Sequence, residues 1–339
     1  MKEIPVSFIP GDGIGPEVAG AARKIIDAAG APIVWETVYA GAEQIEKHGT
    51  PLPPFVLGSI RRNGFALKGP IATPIGCGFR SVNVALRKEL DLFANVRPVK
   101  TLASLKCRFD NVDIIVIREN TEDLYIGREA MIDNDTAESY KRFTRAGCER
   151  IAHFAFKFAL DNNRKRVTAV HKANIMKFTD GMFLSVACEV SKEYPTIVFD
   201  DILVDALCMK LVQTPEKFDV LLTPNLYGDI VSDLTAGLVG GLGLAPSANI
   251  GRNYAVFKPC HGSAPDIAGK NLANPSAAVL SGVMMLRRMG LREIACNVQN
   301  ALYSVLTAGE VLTMDLGGSA STQQFTEAVI DNLQQTRLF

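Results

Sequence analysis

The run "LYGDIVSDL" sets Asp229 and Asp233 four residues apart, a spacing that on a helix places both carboxylates on one face. Like charges so placed repel, and a nearby cation is the natural remedy. Asp205, in "LVDALCMKLV" at the end of a strand-like run, can supply a third oxygen. Carboxylates and waters of this kind suit Mg²⁺ or Mn²⁺. The other reading is that Asp229 caps a helix beginning after Gly228 and Asp233 is a solvated charge.

A second group is cationic. "TPIGCGFRSVNVALRKELDLFANVRP" gathers Ser81, Asn83, Arg87 and Arg97, and Arg118 follows in "IVIRENTEDLY". Guanidinium forks pair bidentately with carboxylates, so several arginines among small polar groups suit a substrate with several carboxylates. Taken singly, each arginine also reads as a solvated helix charge. Lys172 stands just beyond the strand-like "RVTAV", and Tyr125 follows the "RENTED" loop. A lysine beside a divalent cation is pushed towards its neutral form and can act as a base, while a tyrosine can donate a proton. In "HGSAPDIAGKNLANP", Gly262, Ser263 and Ala264 are small enough to let a ligand approach the backbone, with Asp266 and Asn274 as polar contacts. Simple turn chemistry is the alternative there.

These residues need a scaffold that brings distant segments together. β-Branched runs ("VSFI", "IVWETV", "VDIIVI", "RVTAVH", "TIVFDDILVD", "FDVLLTP") alternate with helical patterns, which argues for an α/β protein with a largely parallel sheet. Chemistry-bearing residues fall in four separated blocks, at 73–97, 118–125, 171–174 with 205–233, and 258–274. Such dispersion points to a cleft between two domains, lined by loops that follow strands. Apolar spacing over 136–160 predicts one long helix. The opening "IPGDGIGPE" imitates a dinucleotide fingerprint, with Gly11, Gly13 and Gly15 after a strand and Glu36 placed where a ribose-binding acid would stand. Its third glycine comes one residue early and Pro16 removes an N–H, so a tight turn feeding a helix competes with that reading.

Composition narrows the classes. With 47% apolar residues the 339-residue chain can bury a large core, and its zero formal charge gives no global field to recruit nucleic acid or an anionic membrane. Seven cysteines, widely spaced and without a Cys-x-x-Cys pair, read as reduced thiols of an intracellular protein. A strand-like run begins within three residues of the N-terminus, leaving no room for a targeting peptide, so a cytoplasmic location is expected. Leu234 to Gly251 is uncharged for eighteen residues but carries five glycines, and is expected to be a buried helix and loop rather than a membrane span.

Taken in order, "IPGDGIGPE", "RSVNVALRKELDLFANVRP", "RENTEDLY", "VHKANIMK", "NLYGDIVSDL", "HGSAPDIAGKNLANP" and "LTMDLGGSASTQQFTEAV" resemble the β-decarboxylating dehydrogenases of isocitrate, isopropylmalate and homoisocitrate, most closely the NAD-dependent isocitrate enzymes. The resemblance covers essentially the whole chain. It implies an α/β fold that is not Rossmann, with two domains on one continuous sheet: 1–99 plus 252–339 on the cofactor side, and 100–251 with the dimer interface and metal aspartates. It implies a homodimer, with further assembly open, whose shared active sites take Lys172 and Asp205 from the neighbouring protomer.

Carried over residue by residue, Ser81, Asn83, Arg87, Arg97 and Arg118 would clamp the substrate carboxylates with Asn174 beside them. Asp205, Asp229 and Asp233 would hold Mg²⁺ or Mn²⁺, Lys172 would be the base and Tyr125 the acid. Thr73, His261, Gly262, Ser263, Ala264, Asp266, Ile267 and Asn274 would bind NAD. Ser81 and Asn83 match isocitrate enzymes, where isopropylmalate enzymes present apolar groups. Asp266 and Ile267 replace the lysine and tyrosine of NADP-using relatives. The expected reaction is therefore oxidative decarboxylation of isocitrate to 2-oxoglutarate with NAD⁺. Homoisocitrate or 3-isopropylmalate as substrate, or a non-catalytic regulatory role within a mixed oligomer, are the alternatives. Lys258, where relatives usually carry an acid, and Cys77 and Phe79 depart from the pattern.

Overall fold

The computed structural model describes residues 3–74, 81–102 and 107–336. Cys77 and Phe79 lie outside the described residues. The described strands are β1 (Ile4–Ile9), β2 (Ile33–Thr37), β3 (Phe65–Lys68), β4 (Ala94–Lys100), β5 (Asp113–Glu119), β6 (Glu129–Met131), β7 (Ala137–Ser139), β8 (Arg166–His171), β9 (Val198–Leu203), β10 (Val220–Thr223), β11 (Pro246–Ile250) and β12 (Ala255–Pro259). The helices are α1 (Gly15–Ala28), α2 (Glu43–His48), α3 (Pro54–Asn63), α4 (Val82–Glu89), α5 (Arg145–Asp161), α6 (Thr179–Ser191), α7 (Val204–Leu211), α8 (Asn225–Leu238), α9 (Ser276–Arg288), α10 (Arg292–Ala308) and α11 (Thr322–Thr336).

Two compact units divide the chain. One comprises Met1–Leu92, Thr101–Arg108 and Val239–Phe339; the other, Phe93–Lys100 and Phe109–Leu238. In the first, β2, β1, β3 and β12 are parallel neighbours in that order, and β11 runs antiparallel to β12. In the second, β5, β10, β8 and β9 are parallel neighbours and β4 is antiparallel to β5. The class is α/β with mixed strand pairing. A strand covered on both faces must be apolar on both, which is why "VDIIVI" in β5 lacks alternation: Ile114, Ile115, Val116 and Ile117 are all buried.

Helix α1 carries its apolar residues at helical spacing (Val18, Ala22, Ile25, Ile26), and Pro16 sits in its first turn, where an N–H has no partner to lose. It packs against α9. A Cβ on Gly282 of α9 would come within 2.6 Å of the Ile26 side chain, so the glycine sets how closely the two helices approach. Around Ile9 and Val256, side chains of α3 and α4 (Val56, Ile60, Val82, Leu86) complete a core on this unit.

Three local expectations are corrected. The 136–160 segment is not one helix: Ala137–Ser139 pairs with β6 in an exposed hairpin, and α5 begins at Arg145. Thr144 caps it, its hydroxyl oxygen accepting from the Gly147 N–H while the Glu122 carboxylate accepts from both the Thr144 N–H and hydroxyl. The uncharged stretch from Leu234 contains, besides the end of α8, the buried strand β11. No helix among the described residues is long and apolar enough to cross a membrane. Lastly, α8 starts at Asn225, ahead of Gly228, because the Asp123 carboxylate, a hundred residues earlier, accepts from the Leu226 N–H. Asp229 is therefore inside the helix and cannot cap it.

Candidate active site

In the second unit, β4 and β5 pair so that Asn95 lies opposite Arg118 and Arg97 opposite Val116. The Arg97 guanidinium is buried and donates from each of its nitrogens: Nε to Asn95 Oδ1 (2.7 Å), Nη1 to Ser232 Oγ (2.6 Å) and Asp233 Oδ1 (3.3 Å), and Nη2 to Asp229 Oδ1 (3.1 Å). Arg118 has no solvent exposure. Its Nε and Nη2 donate to Asn225 Oδ1 (2.9 and 2.7 Å) and its Nη1 to Asp229. The Tyr125 hydroxyl donates to the other Asp229 oxygen at 2.5 Å, and its ring lies 4.9 Å from the Arg118 guanidinium carbon. Asp229 thus receives two guanidinium groups and a phenol.

A Cβ on Gly228 would fall 2.7 Å from Arg118 Cβ and 2.3 Å from Thr223 Oγ1, so only glycine lets the strand's arginine lie against α8. Burial first, then the like charge of Arg97, pulls Arg118 below its usual pKa, with Asp229 and Tyr125 opposing. Asn95, Asn225 and Ser232 escaped sequence reasoning. Their signal was present: Asn95 is two residues from Arg97 on one strand face, and Asn225 and Ser232 are one turn either side of Asp229.

Lys172 follows β8 directly, and Asp205 sits in the first turn of α7. Their side chains pair at 2.6 Å, and the hydrogen bond from Lys172 holds the Asp205 carboxyl below its usual range. Asn174 is exposed in the turn beyond. Asp229 and Asp233 therefore gather around Arg97, while Asp205 stands with Lys172. Among the described residues, no three His, Cys, Asp or Glu side chains of this chain are grouped to hold a metal ion.

In the first unit, Ser81 immediately precedes α4, and Asn83 and Arg87 lie four apart on it. The Thr73 hydroxyl donates to Ser81 Oγ at 3.2 Å. Asn83 Oδ1 is buried without a hydrogen-bond partner among the described residues. Asn83, Arg87, Asn249, Lys258 and Lys68 line one small cavity. Burial, followed by the charges of Lys258 and Arg87, drives the Lys68 ammonium well below its usual pKa against the pull of Asp12. The unusual Lys258 therefore adds to a cationic corner behind α4.

The opening turn resolves against the dinucleotide reading. Gly11 and Gly13 have φ of +84° and +59°, and a Cβ on them would meet Pro70 O at 2.1 Å and Ser263 O at 2.0 Å. The glycines let this turn touch the chain's own backbone, and the Ile14 N–H donates to Ser263 O (2.9 Å). Glu36 accepts from Arg62 and from Asn63 at 2.8 Å, so its carboxylate already pairs with the chain's own side chains at the surface.

The 261–275 segment hangs from that turn. Glu17 Oε1 accepts from the Gly269 N–H at 2.5 Å, and Ala264 holds a left-handed φ of +38°. Gly262 and Asp266 are exposed, and the Ile267 N–H closes a turn onto Ala264 O. His261 Nε2 is buried with no partner among the described residues. Burial, helped by Lys258, pushes this imidazole down to about 4 despite the Gly262 carbonyl and Asp315. Asn274 donates to Asp315 Oδ2 (3.0 Å) and accepts from the Ser276 N–H (2.9 Å) at the start of α9.

The family description "Isocitrate/isopropylmalate dehydrogenase" matches residues 5–329. The chain is 52% identical to Isocitrate dehydrogenase [NAD] catalytic subunit 5, mitochondrial, of Arabidopsis thaliana, over 97% of this chain and 88% of that protein. It is 48% identical to a mitochondrial protein of Dictyostelium discoideum named as a regulatory subunit of isocitrate dehydrogenase [NAD], over 98% and 92%. The crystal structure of isocitrate dehydrogenase from Methylococcus capsulatus superposes with a TM-score of 0.96 at 48% identity, covering 98% of this chain and all of that one. Arginines converging on a helical aspartate beside a tyrosine, on an α/β scaffold matched from end to end, leave one conclusion: the chain belongs to the isocitrate/isopropylmalate dehydrogenase family and is of its NAD-type isocitrate dehydrogenase branch.

Proposed function

We propose that the chain is itself catalytic, converting isocitrate and NAD⁺ to 2-oxoglutarate, CO₂ and NADH with Mg²⁺ or Mn²⁺, as a homodimer with shared sites. The observation that carries this is Asp229, where two buried guanidinium groups and the Tyr125 hydroxyl meet on one carboxylate. Buried charge is costly to keep for structure alone, and here it surrounds groups able to bind carboxylates and move a proton.

The oxygen donors of Asp229 and Asp233 fit a hard divalent cation, with Asp205 of a second copy as third ligand. The unsatisfied His261 nitrogen fits a donor that the protein does not supply, cofactor at the 261–275 segment, and the Asn83 amide beside α4 would meet a substrate carboxylate through its Nδ2 N–H groups. When bound, the cation polarises the substrate's oxygens and NAD⁺ accepts the hydride. The rest falls to the chain. Arg87, Arg97 and Arg118 hold the carboxylates, and Ser81 and Asn83 meet the one that distinguishes isocitrate. Once its ion pair with Asp205 opens and its ammonium has given a proton to solvent, the neutral Lys172 amine takes the hydroxyl proton, directly or through water. After CO₂ leaves, Tyr125 protonates the carbon that carried it. Asp266 accepts from the ribose hydroxyls and repels a 2′-phosphate; two unit charges ~4 Å apart at an effective dielectric of ~20 repel by about 4 kcal/mol, less at an exposed carboxylate.

The test is kcat/KM for isocitrate, homoisocitrate and 3-isopropylmalate, each with NAD⁺ and NADP⁺ and either metal. Isocitrate with NAD⁺ should lead, and D266K/I267Y should move preference towards NADP⁺ by about tenfold or more. A lead for 3-isopropylmalate would overturn the substrate, and an unmoved cofactor preference would overturn the role of Asp266. Likeness to a protein whose name gives it a regulatory role supports a second reading. No isocitrate-dependent NADH from the purified chain with either metal would favour it.

A further inference from the structure

Lys141, in the stretch between β7 and α5, sets its amine in a buried nest. It donates to Asp180 Oδ1 at 2.5 Å and lies 3.3 Å from the Tyr227 hydroxyl, 3.5 Å from Met176 Sδ and 4.0 Å from Asp123 Oδ1. It stands over the rings of Phe143 and Tyr227 at 4.7 and 4.6 Å. Asp180 and Asp123 have no solvent exposure. The second oxygen of each grips a backbone amide: Asp180 Oδ2 accepts from the Lys172 N–H and Asp123 Oδ2 from the Leu226 N–H in the first turn of α8, both at 2.8 Å. Asp123 is two residues before Tyr125, holds a left-handed φ of +68°, and its Oδ1 has no hydrogen-bond partner among the described residues, which leaves the Lys141 charge facing it.

One ammonium therefore holds two buried carboxylates, one fixing the backbone of Lys172 and the other the start of the helix that carries Asp229 and Asp233. Remove it, and two buried anions must protonate or draw away, and either change loosens the amides they grip. We propose that Lys141 is a positioning residue that locks the Lys172 backbone and the Tyr125–α8 segment into one arrangement. This rests on the roles given above to Lys172 and Tyr125. Where sites are shared between two copies, those segments serve different sites, and Lys141 is the physical link between them.

The test uses the Mg²⁺-loaded enzyme with isocitrate and with isocitrate deuterated at the hydroxyl-bearing carbon. K141M should lower kcat about tenfold or more, leave KM for NAD⁺ within about threefold, and enlarge the deuterium isotope effect, because misplacement of the base slows the step that transfers hydride. K141R, which keeps the charge, should recover most of the rate. Y227F keeps the ring but removes a hydroxyl at the amine, and should shift kcat and the isotope effect in the same direction by about two- to threefold in a folded protein. A fall in kcat with an unchanged isotope effect would mean fewer active molecules and would overturn the proposal, as would wild-type kinetics in K141M and Y227F. Full activity of K172M would instead sink the underlying assignment of the base.

Discussion

Single residues here owe their properties to what surrounds them. His261 is the clearest case, since burial beside Lys258 depresses its pKa from the usual 6.5 to about 4. In the unfolded chain the ring takes a proton as pH falls through 6.5, while in the folded chain it stays neutral until about 4. The folded state binds fewer protons in that window, so its stability is fully present above pH 6.5 and declines as pH falls towards 4. The contribution is at most about 3 kcal/mol, reduced because the ring is partly open to solvent. Subtracting the stability–pH profile of H261N from that of wild type, measured by denaturant unfolding, should give a difference that falls, to the disadvantage of wild type, as pH drops from 6.5 to 4. A flat difference would contradict the buried neutral ring. Among site residues, Asp229 and Asp233 stood out in the sequence because two acids at helical spacing need an explanation. Asn225 and Ser232 did not, since uncharged polar residues on a helix are common and only the arginines they orient give them meaning.

Elements show why the opening turn misleads. A glycine-rich turn between strand and helix is what a phosphate cradle requires, and the requirement is backbone close to something. In this protein that something is Pro70 and Ser263, so the turn is filled by the chain itself. Its helix then holds the 261–275 segment through Glu17, whose carboxylate accepts from Gly269. E17A should raise KM for NAD⁺ about tenfold, the lower end of the worth of a hydrogen bond to a charged group, with KM for isocitrate unchanged. E36A should leave both constants alone, because Glu36 serves Arg62 and Asn63. Equal effects on NAD⁺ binding would refute this division of labour. The broken 136–160 helix carries a related lesson: apolar periodicity continued through the exposed hairpin, and what stopped the helix was Glu122 bracing Thr144 from outside it.

At the scale of the molecule, the second unit holds two clusters, Asp229 with Arg97, Arg118 and Tyr125, and Asp205 with Lys172. The proposed sharing of sites in a homodimer predicts complementation. D229N and K172M should each be inactive alone, whereas a mixed dimer rebuilds one complete site from the intact halves. Random mixing by unfolding and refolding together should restore about a quarter of wild-type activity, one site in half of the dimers. No recovery, with mixed dimers present by native mass spectrometry, would place both clusters in the service of one chain's own site.

The sequence by itself determined the α/β class, through apolar runs that only covered parallel strands need, and the kind of chemistry, through carboxylates, guanidinium groups and a lysine in fixed motifs. Tertiary structure alone decided which strands run antiparallel, where α8 begins, what fills the opening turn and which residues orient the arginines. The physical reason is range. Periodicity and side-chain type act within a few residues, whereas Asp123 capping Leu226, Gly228 admitting Arg118 and Gly13 meeting Ser263 depend on partners a hundred or more residues away, whose meeting no local pattern records.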